Sequence, residues 1–244
     1  HMVLNSIRGI NKKFRKDYGE LVIASDGKHS WRKQIFPNYK ANRKKTREQS
    51  GHDWETIFDV INRIKSELKE FMPYKLLELE TAEADDVIAV LIRKIQRVVG
   101  PNHAKKILIV SGDKDFIQLH NAAVDQYSPV TKRMVNGKEP LEYLREHIIR
   151  GDRSDGVPNI LSPDDTFVSE KRQKPIRKSI VAELLEQMNN YEPTHLHTLA
   201  KCPKDTWVRN WQRNETLIDF SKIPNNIQDD ILREFKNVKV GSRE

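Results

Sequence analysis

The chain has 244 residues, 37% hydrophobic and 32% charged, which is enough for one large domain with an appendage around a genuine apolar core. Lys and Arg number 43 against 35 Asp and Glu, giving a net charge of +8 and a pI near 9.4; this favours a polyanionic partner, nucleic acid first among them. The single cysteine, Cys202, excludes an intramolecular disulfide and a cysteine-rich zinc site, no apolar run reaches the length of a membrane span, and no signal peptide or internal repeat is visible.

Residues 3–16 carry apolar side chains at helical spacing, namely Val3, Leu4, Ile7, Ile10 and Phe14, and predict an amphipathic helix with a basic outer face. Leu21 to Ala24 predict a short strand that ends in Ser25-Asp26-Gly27. Alone, Asp before Gly is ordinary turn chemistry. At the end of a buried strand it is also where open α/β sheets place ligands.

Residues 31–47 then interleave Arg32, Lys33, Lys40, Arg43, Lys44, Lys45 and Arg47 with Trp31, Phe36 and Tyr39. Cations for phosphates beside aromatic faces for unstacked bases suit single-strand binding, so this segment reads as a mobile nucleic-acid element rather than a solvated loop. Residues 53–71 predict a strong helix (Trp54, Ile57, Phe58, Ile61, Ile64, Leu68, Phe71), ended by Pro73.

A strand over Leu76–Leu79 leads into Glu83-Ala-Asp85-Asp86 at the start of an apolar helix that runs to Ile95. Acids suit a helix N-terminus, but that effect does not require three in four residues. Glu83 and Asp86, three apart, share a helix face, and a shared cation explains them better.

Ile107–Val110 is an unbroken apolar strand that stops at Ser111-Gly-Asp113-Lys-Asp115. Carboxylates this close repel unless a cation such as Mg²⁺ or Mn²⁺ lies between them. A further helix or turn is expected at Phe116–Leu119, a strand at Val124–Tyr127, and a polar connection with a turn at Asn136-Gly137 over 129–140.

A helix from Leu141 to Arg150 enters Gly151-Asp152-Arg-Ser-Asp155-Gly156-Val-Pro158, a tight helix–turn–helix connection. Its exposed N–H groups at Gly151 and Gly156 can bind phosphate, and its carbonyls can hold a monovalent cation. Asp152 and Asp155 add two acids. A polar, basic loop over 161–178, a helix from Ile180 to Met188 and a largely helical remainder follow; His195 and His197 read as surface residues.

Asp26, Glu83, Asp85, Asp86, Asp113, Asp115, Asp152 and Asp155, concentrated in a basic chain, call for metal. Two divalent ions about 4 Å apart would clamp the attacking water and leaving oxygen of a phosphodiester. No Ser/His/Asp set, Walker loop or GxGxxG competes.

Together, Asp26-Gly27, Tyr39-Lys40-Ala-Asn-Arg43, Glu83-Ala-Asp85-Asp86, Ser111-Gly-Asp113-Lys-Asp115-Phe116 and Gly151-Asp152-Arg-Ser-Asp155-Gly156-Val-Pro resemble, in order and spacing, the 5′-nuclease superfamily of flap endonucleases, phage 5′-exonucleases and bacterial DNA polymerase I nuclease domains, and within it the T-even phage ribonuclease H branch. Leu217-Ile-Asp-Phe220 and Ile223-Pro-Asn-Asn-Ile227 resemble that branch near its C-terminus.

The resemblance implies an α/β fold: a central, mostly parallel sheet flanked by helices (a PIN-like 5′-nuclease core), a helical arch, a helix–three-turn–helix and a helical C-terminal part. It implies a nuclease core over 1–140 with the arch at 31–52, a duplex-binding region over 141–190, and a C-terminal region over 191–244. Glu83, Asp85, Asp113 and Asp26 would hold a first metal; Asp115, Asp152 and Asp155 would hold or hydrate a second, with Asp86 between. Lys33, Lys40 and Arg43 would bind phosphates near the scissile bond, Tyr39 would stack on a terminal base, and Arg32, Lys44, Lys45, Arg47, Gly151 and Gly156 would contact nucleic acid.

The implied cofactors are two Mg²⁺ or Mn²⁺ ions and a K⁺ at the three-turn element. The implied partners are DNA and RNA–DNA duplexes with a 5′ end or flap, together with a single-strand-binding protein and a sliding clamp. The implied setting is a monomer in the cytoplasm of a phage-infected bacterium. One departure stands out. The family opens on a strand carrying a metal-binding Asp, and nothing before Val3 supplies it. The expectation is therefore a missing central strand and weakened first-metal binding, with a catalytically weakened duplex- or flap-binding protein of the same fold as the alternative. A PIN-type ribonuclease fits less well, since it lacks the 141–190 region.

Overall fold

The computed structural model describes residues 1–99, 106–137, 139–169, 171–190 and 204–241. Cys202, His195 and His197 lie outside them. The chain forms two compact units, one made of His1–Ser30, Asp53–Asn136 and the residues from Pro224 on, the other of Trp31–His52 and Gly137–Ile223.

In the first unit, α1 (Met2–Tyr18) is followed by β1 (Val22–Ser25). Helix α4 (Trp54–Phe71) starts at Asp53, whose carboxylate accepts from Thr56 N, and leads to β2 (Lys75–Glu78). The chain then runs through α5 (Ala84–Val99), β3 (Ile107–Val110), a 3-10 turn over Lys114–Leu119, β4 (Val124–Ser128) and β5 (Arg133–Met134). Helix α9 (Asn225–Asn237) closes the unit.

The fold is mixed α/β, as expected, and the described strands lie in two sheets. β1 pairs in parallel with β2, Ile23 opposite Leu76. β3 pairs in parallel with β4, Ile109 opposite Gln126, and β5 adds antiparallel. No described strand joins them. α1 reaches both: the Asn11 amide donates to Tyr74 beside β2, Phe14 meets the Tyr127 ring edge-on at 4.8 Å, and the Tyr18 hydroxyl donates to Asp125 at 2.8 Å. α9 packs on α5 and β2, burying Ile227 and Ile231. α4 buries only Leu68 and leaves Phe58, Val60 and Ile61 exposed, so its apolar stripe is incompletely covered.

The second unit contains α2 (Trp31–Ile35), α3 (Asn42–Gln49), α6 (Pro140–Arg150), α7 (Lys178–Gln187) and α8 (Lys204–Ile218). α6 packs on α7 and α8. One core joins Ile148, Ile149, Val157 and Ile160 to Val181, Leu184, Trp207 and Trp211. Phe36 and Tyr39 belong to this core, which explains why the basic stretch groups with residues beyond 137 rather than with the segment before it. Among the described residues no helix is long and apolar enough to cross a membrane.

Candidate metal centre and nucleic-acid interface

In the first unit, the turn after β1 is stitched to the approach to α5. Gly27 N–H donates to Ala82 O at 2.9 Å, His29 N–H donates to Glu80 O at 2.8 Å, and Asp26 Oδ1 accepts from Ala84 N–H at 2.9 Å. A Cβ on Gly27 would lie 1.7 Å from Leu79 O, so only glycine permits this approach. The result brings Asp26 to the N-terminus of α5, where Glu83, Asp85 and Asp86 also sit. Asp86 is fully buried and its Oδ2 accepts from Glu83 N–H at 3.0 Å, a reach-back cap. Asp26 and Asp86 therefore already satisfy orphan helix donors.

Asp113 and Asp115 follow β3. Asp113 N–H donates to Ser111 Oγ at 3.1 Å, and Asp113 Oδ1 accepts from Asp115 N–H at 3.0 Å. Gln126, buried on the neighbouring β4, clamps the same loop. Its Nε2 donates to Ser111 O at 2.8 Å and Asp113 O at 2.6 Å, while its Oε1 lies 2.8 Å from His120 Nε2. Neither Gln126 nor His120 is marked by a sequence motif, since Gln126 lies among Asp125, Tyr127 and Ser128 in a polar strand.

In the second unit, Asp152 Oδ1 accepts from Ser154 N–H and Oγ, both at 2.7 Å, and from Asp155 N–H at 3.2 Å. Its Oδ2 lies 3.4 Å from His147 Nε2. Burial alone would raise the Asp152 pKa. The hydrogen bonds from His147 and Ser154, the charge His147 carries when protonated, and the Asp155 N–H outweigh it and hold the carboxyl far below the usual carboxylate range.

Asp155 gathers the basic stretch. Its Oδ2 accepts from the Tyr39 hydroxyl at 2.8 Å and lies 3.6 Å from Lys40 Nζ, its Oδ1 accepts from Arg43 Nη2 at 2.6 Å, and its carbonyl accepts from Lys40 N–H at 2.7 Å. Lys40 holds a left-handed backbone (φ 55°), a strained choice for lysine that surrounding contacts must enforce.

Two expected nucleic-acid groups are placed otherwise. Tyr39 is 3% exposed, its ring packed in the core instead of offered for stacking. Arg32 is buried, its Nε donating to Leu217 O at 2.8 Å and its guanidinium 4.5 Å from the Trp31 ring. Lys33 on α2 and Arg43, Lys44, Lys45 and Arg47 on α3 are exposed.

Gly151 and Gly156 adopt positive φ (66° and 73°). A Cβ on Gly151 would lie 2.4 Å from Val157 O, so close backbone packing explains that glycine. Their N–H groups donate internally, to His147 O and Arg153 O, and are not presented to phosphate.

This architecture is that of the phage 5′-exonuclease fold. A bacteriophage T5 D15 protein co-crystallised with metal ions aligns with a TM-score of 0.69 at 14% identity, over 96% of this chain and 90% of that one. The T5 D15 flap endonuclease in a complex with DNA and metal ions aligns with a TM-score of 0.66 at 15% identity, over 96% of this chain and 89% of that one.

Residues 1–146 match the family model of the 5′-3′ exonuclease N-terminal resolvase-like domain, and residues 141–244 match that of the T4 RNase H C-terminal region. Ribonuclease H of Enterobacteria phage T4 is 32% identical over all of this chain and 78% of the T4 protein. A flap endonuclease Xni of Shewanella is 30% identical over 57% of this chain and about half of its own length. The chain belongs to the 5′-3′ exonuclease family, in the branch that carries the T4 RNase H C-terminal region.

Proposed function

We propose that this 5′-nuclease hydrolyses phosphodiesters at RNA or DNA 5′ ends and flaps on a duplex, using Mg²⁺ or Mn²⁺ held by its strand-end carboxylates. The observation that carries the reading is the Asp26–Ala84 hydrogen bond, which gathers four acids at one helix start. The donor set fits hard divalent cations, since every candidate ligand is a carboxylate oxygen. Asp26, Glu83, Asp85, Asp86, Asp113 and Asp115 would be the donors of the first unit, and Asp152 and Asp155 those of the second. Such ions, when bound, supply an acidified water and neutralise charge on the leaving oxygen.

The chain's own residues supply position. Gln126 fixes the loop that carries Asp113 and Asp115. The exposed cations of α2 and α3 supply phosphate contacts, a sequence-independent term that weakens with salt. The related T5 enzyme crystallises with DNA and metal ions, which supports the same ligand classes here.

A second reading, a duplex- or flap-binding protein with weakened catalysis, draws on Asp155, whose carboxylate is engaged by Tyr39, Lys40 and Arg43. The test is a 5′-labelled flap substrate with Mg²⁺, run beside Asp113→Asn and Asp115→Asn. Mg²⁺-dependent cleavage lost in both variants is expected. Cleavage that survives both removes the metal mechanism, and binding without cleavage by the unaltered chain favours the second reading.

A further inference from the structure

Helix α8 turns Asn210, Arg213 and Asn214 onto the segment around Gly151–Ser162; at spacings of three and four they share one helix face. Both asparagines are buried, and the Arg213 side chain is 8% exposed. Asn210 Nδ2 donates to Ile160 O at 2.9 Å and Ser162 O at 3.2 Å. Asn214 Nδ2 donates to Ile148 O at 2.8 Å and Pro158 O at 2.9 Å.

The guanidinium is used to capacity. Nη2 donates to Pro158 O at 2.7 Å and Asn159 O at 3.4 Å, Nη1 donates to Asp164 and to Asn210 Oδ1 at 3.4 Å, and Nε donates to Asn214 Oδ1 at 2.9 Å. An arginine has five N–H donors, and each finds an acceptor here. Asp164, also paired with Arg209, balances the buried charge.

Carbonyl oxygens that converge in a tight turn need donors or a cation. A monovalent ion is the expectation from the sequence, and this segment does not suit one: Ile148, Pro158, Asn159, Ile160 and Ser162 all accept from α8, and the buried Arg213 guanidinium among them would repel a second cation. Others in the segment are likewise committed: Ile149 O to Ile160 N–H, Asp152 O to Val157 N–H and Asp155 O to Lys40 N–H.

We propose that Arg213 is the resident cation of this turn, a positioning residue that holds residues 148–162 in shape without K⁺ or another monovalent ion. The guanidinium takes the place of the ion, and the two asparagines, whose Oδ1 atoms face it, extend its reach to the outer carbonyls. The consequence for nucleic acid, that duplex binding is independent of the monovalent cation's identity, rests on the duplex-binding reading of this region. The consequence for the turn itself does not.

The test compares KCl with N-methyl-D-glucamine chloride at one ionic strength, measuring the thermal midpoint of the full chain and its Kd for a DNA duplex. Both should be unchanged, the Kd within about twofold, because the ionic screening is equal. A higher midpoint in KCl, or a Kd about tenfold tighter there, overturns the proposal. Arg213→Gln should bind duplex about tenfold more weakly, as lost hydrogen bonds to a charged group imply, and should regain affinity in KCl. Wild-type affinity of Arg213→Gln in both salts overturns it. Arg213→Lys keeps the charge and should remain indifferent to the cation; a K⁺ requirement in that variant overturns the role of the charge. If Arg213→Gln does not fold, the wild-type comparison and Arg213→Lys still decide. If the wild type binds no duplex, the duplex-binding reading fails while the thermal midpoint still decides the resident cation.

Discussion

The Arg43 guanidinium donates to Asp155 Oδ1 at 2.6 Å, while the Tyr39 hydroxyl donates to Oδ2 of the same carboxylate at 2.8 Å. One acid thus anchors the basic stretch to the turn after Gly151, within a single unit. Tyr39→Phe keeps the packed ring and removes one charge-assisted hydrogen bond. It should lower unfolding stability by about 2 kcal/mol, read from urea denaturation. A variant as stable as the parent would mean that the Tyr39 contact contributes nothing net.

Gly27 sets how closely the Asp26 turn approaches β2. Gly27→Ala places a methyl group against Leu79 O, a main-chain atom that cannot swing away. The expected cost is about 3 kcal/mol, with a matching loss of thermal midpoint. A fully stable alanine variant would show that the turn relaxes freely.

Gln126 closes the carbonyls of Ser111 and Asp113. Gln126→Leu is close in volume but donates nothing, leaving two acceptors without their partner at about 1–3 kcal/mol each. Besides the lower stability, Mn²⁺ affinity should fall, because the loop carrying Asp113 and Asp115 loosens. Unchanged Mn²⁺ affinity would separate Gln126 from the acids it is argued to position.

Asp152 sets a pH dependence. Its folded pKa is depressed, so its contribution is present above the unfolded carboxylate value of about 3.9 and is lost as pH falls toward the folded value. The midpoint of thermal unfolding should decline below about pH 4, and less steeply in Asp152→Asn. Parallel acid limbs in the two proteins would contradict the assignment.

Local features were the most legible in the sequence. The Ile107–Val110 run and the periodicity of α5 announce a strand and a helix, and the acids at their ends stand where the chain order suggests. Tyr39 shows where local pattern misleads, since an aromatic between cations reads as a stacking platform until Ile148 and Trp211, distant in sequence, join it in a core. The α/β class with parallel strand pairs was legible as well; which strands pair, β1 with β2 and β3 with β4, depends on neighbours that hydrophobic runs do not name. Gln126, Asn210, Arg213 and Asn214 act on main-chain carbonyls, and a carbonyl carries no sequence signature.

If the strand-end acids form a divalent-metal centre, the full chain should bind Mn²⁺ in the absence of nucleic acid, as followed by titration calorimetry. Saturable binding is expected, weakened about tenfold or more in Asp113→Asn, since one charged ligand is lost. An absence of saturable binding, or equal binding by the unaltered chain and Asp113→Asn, would contradict it.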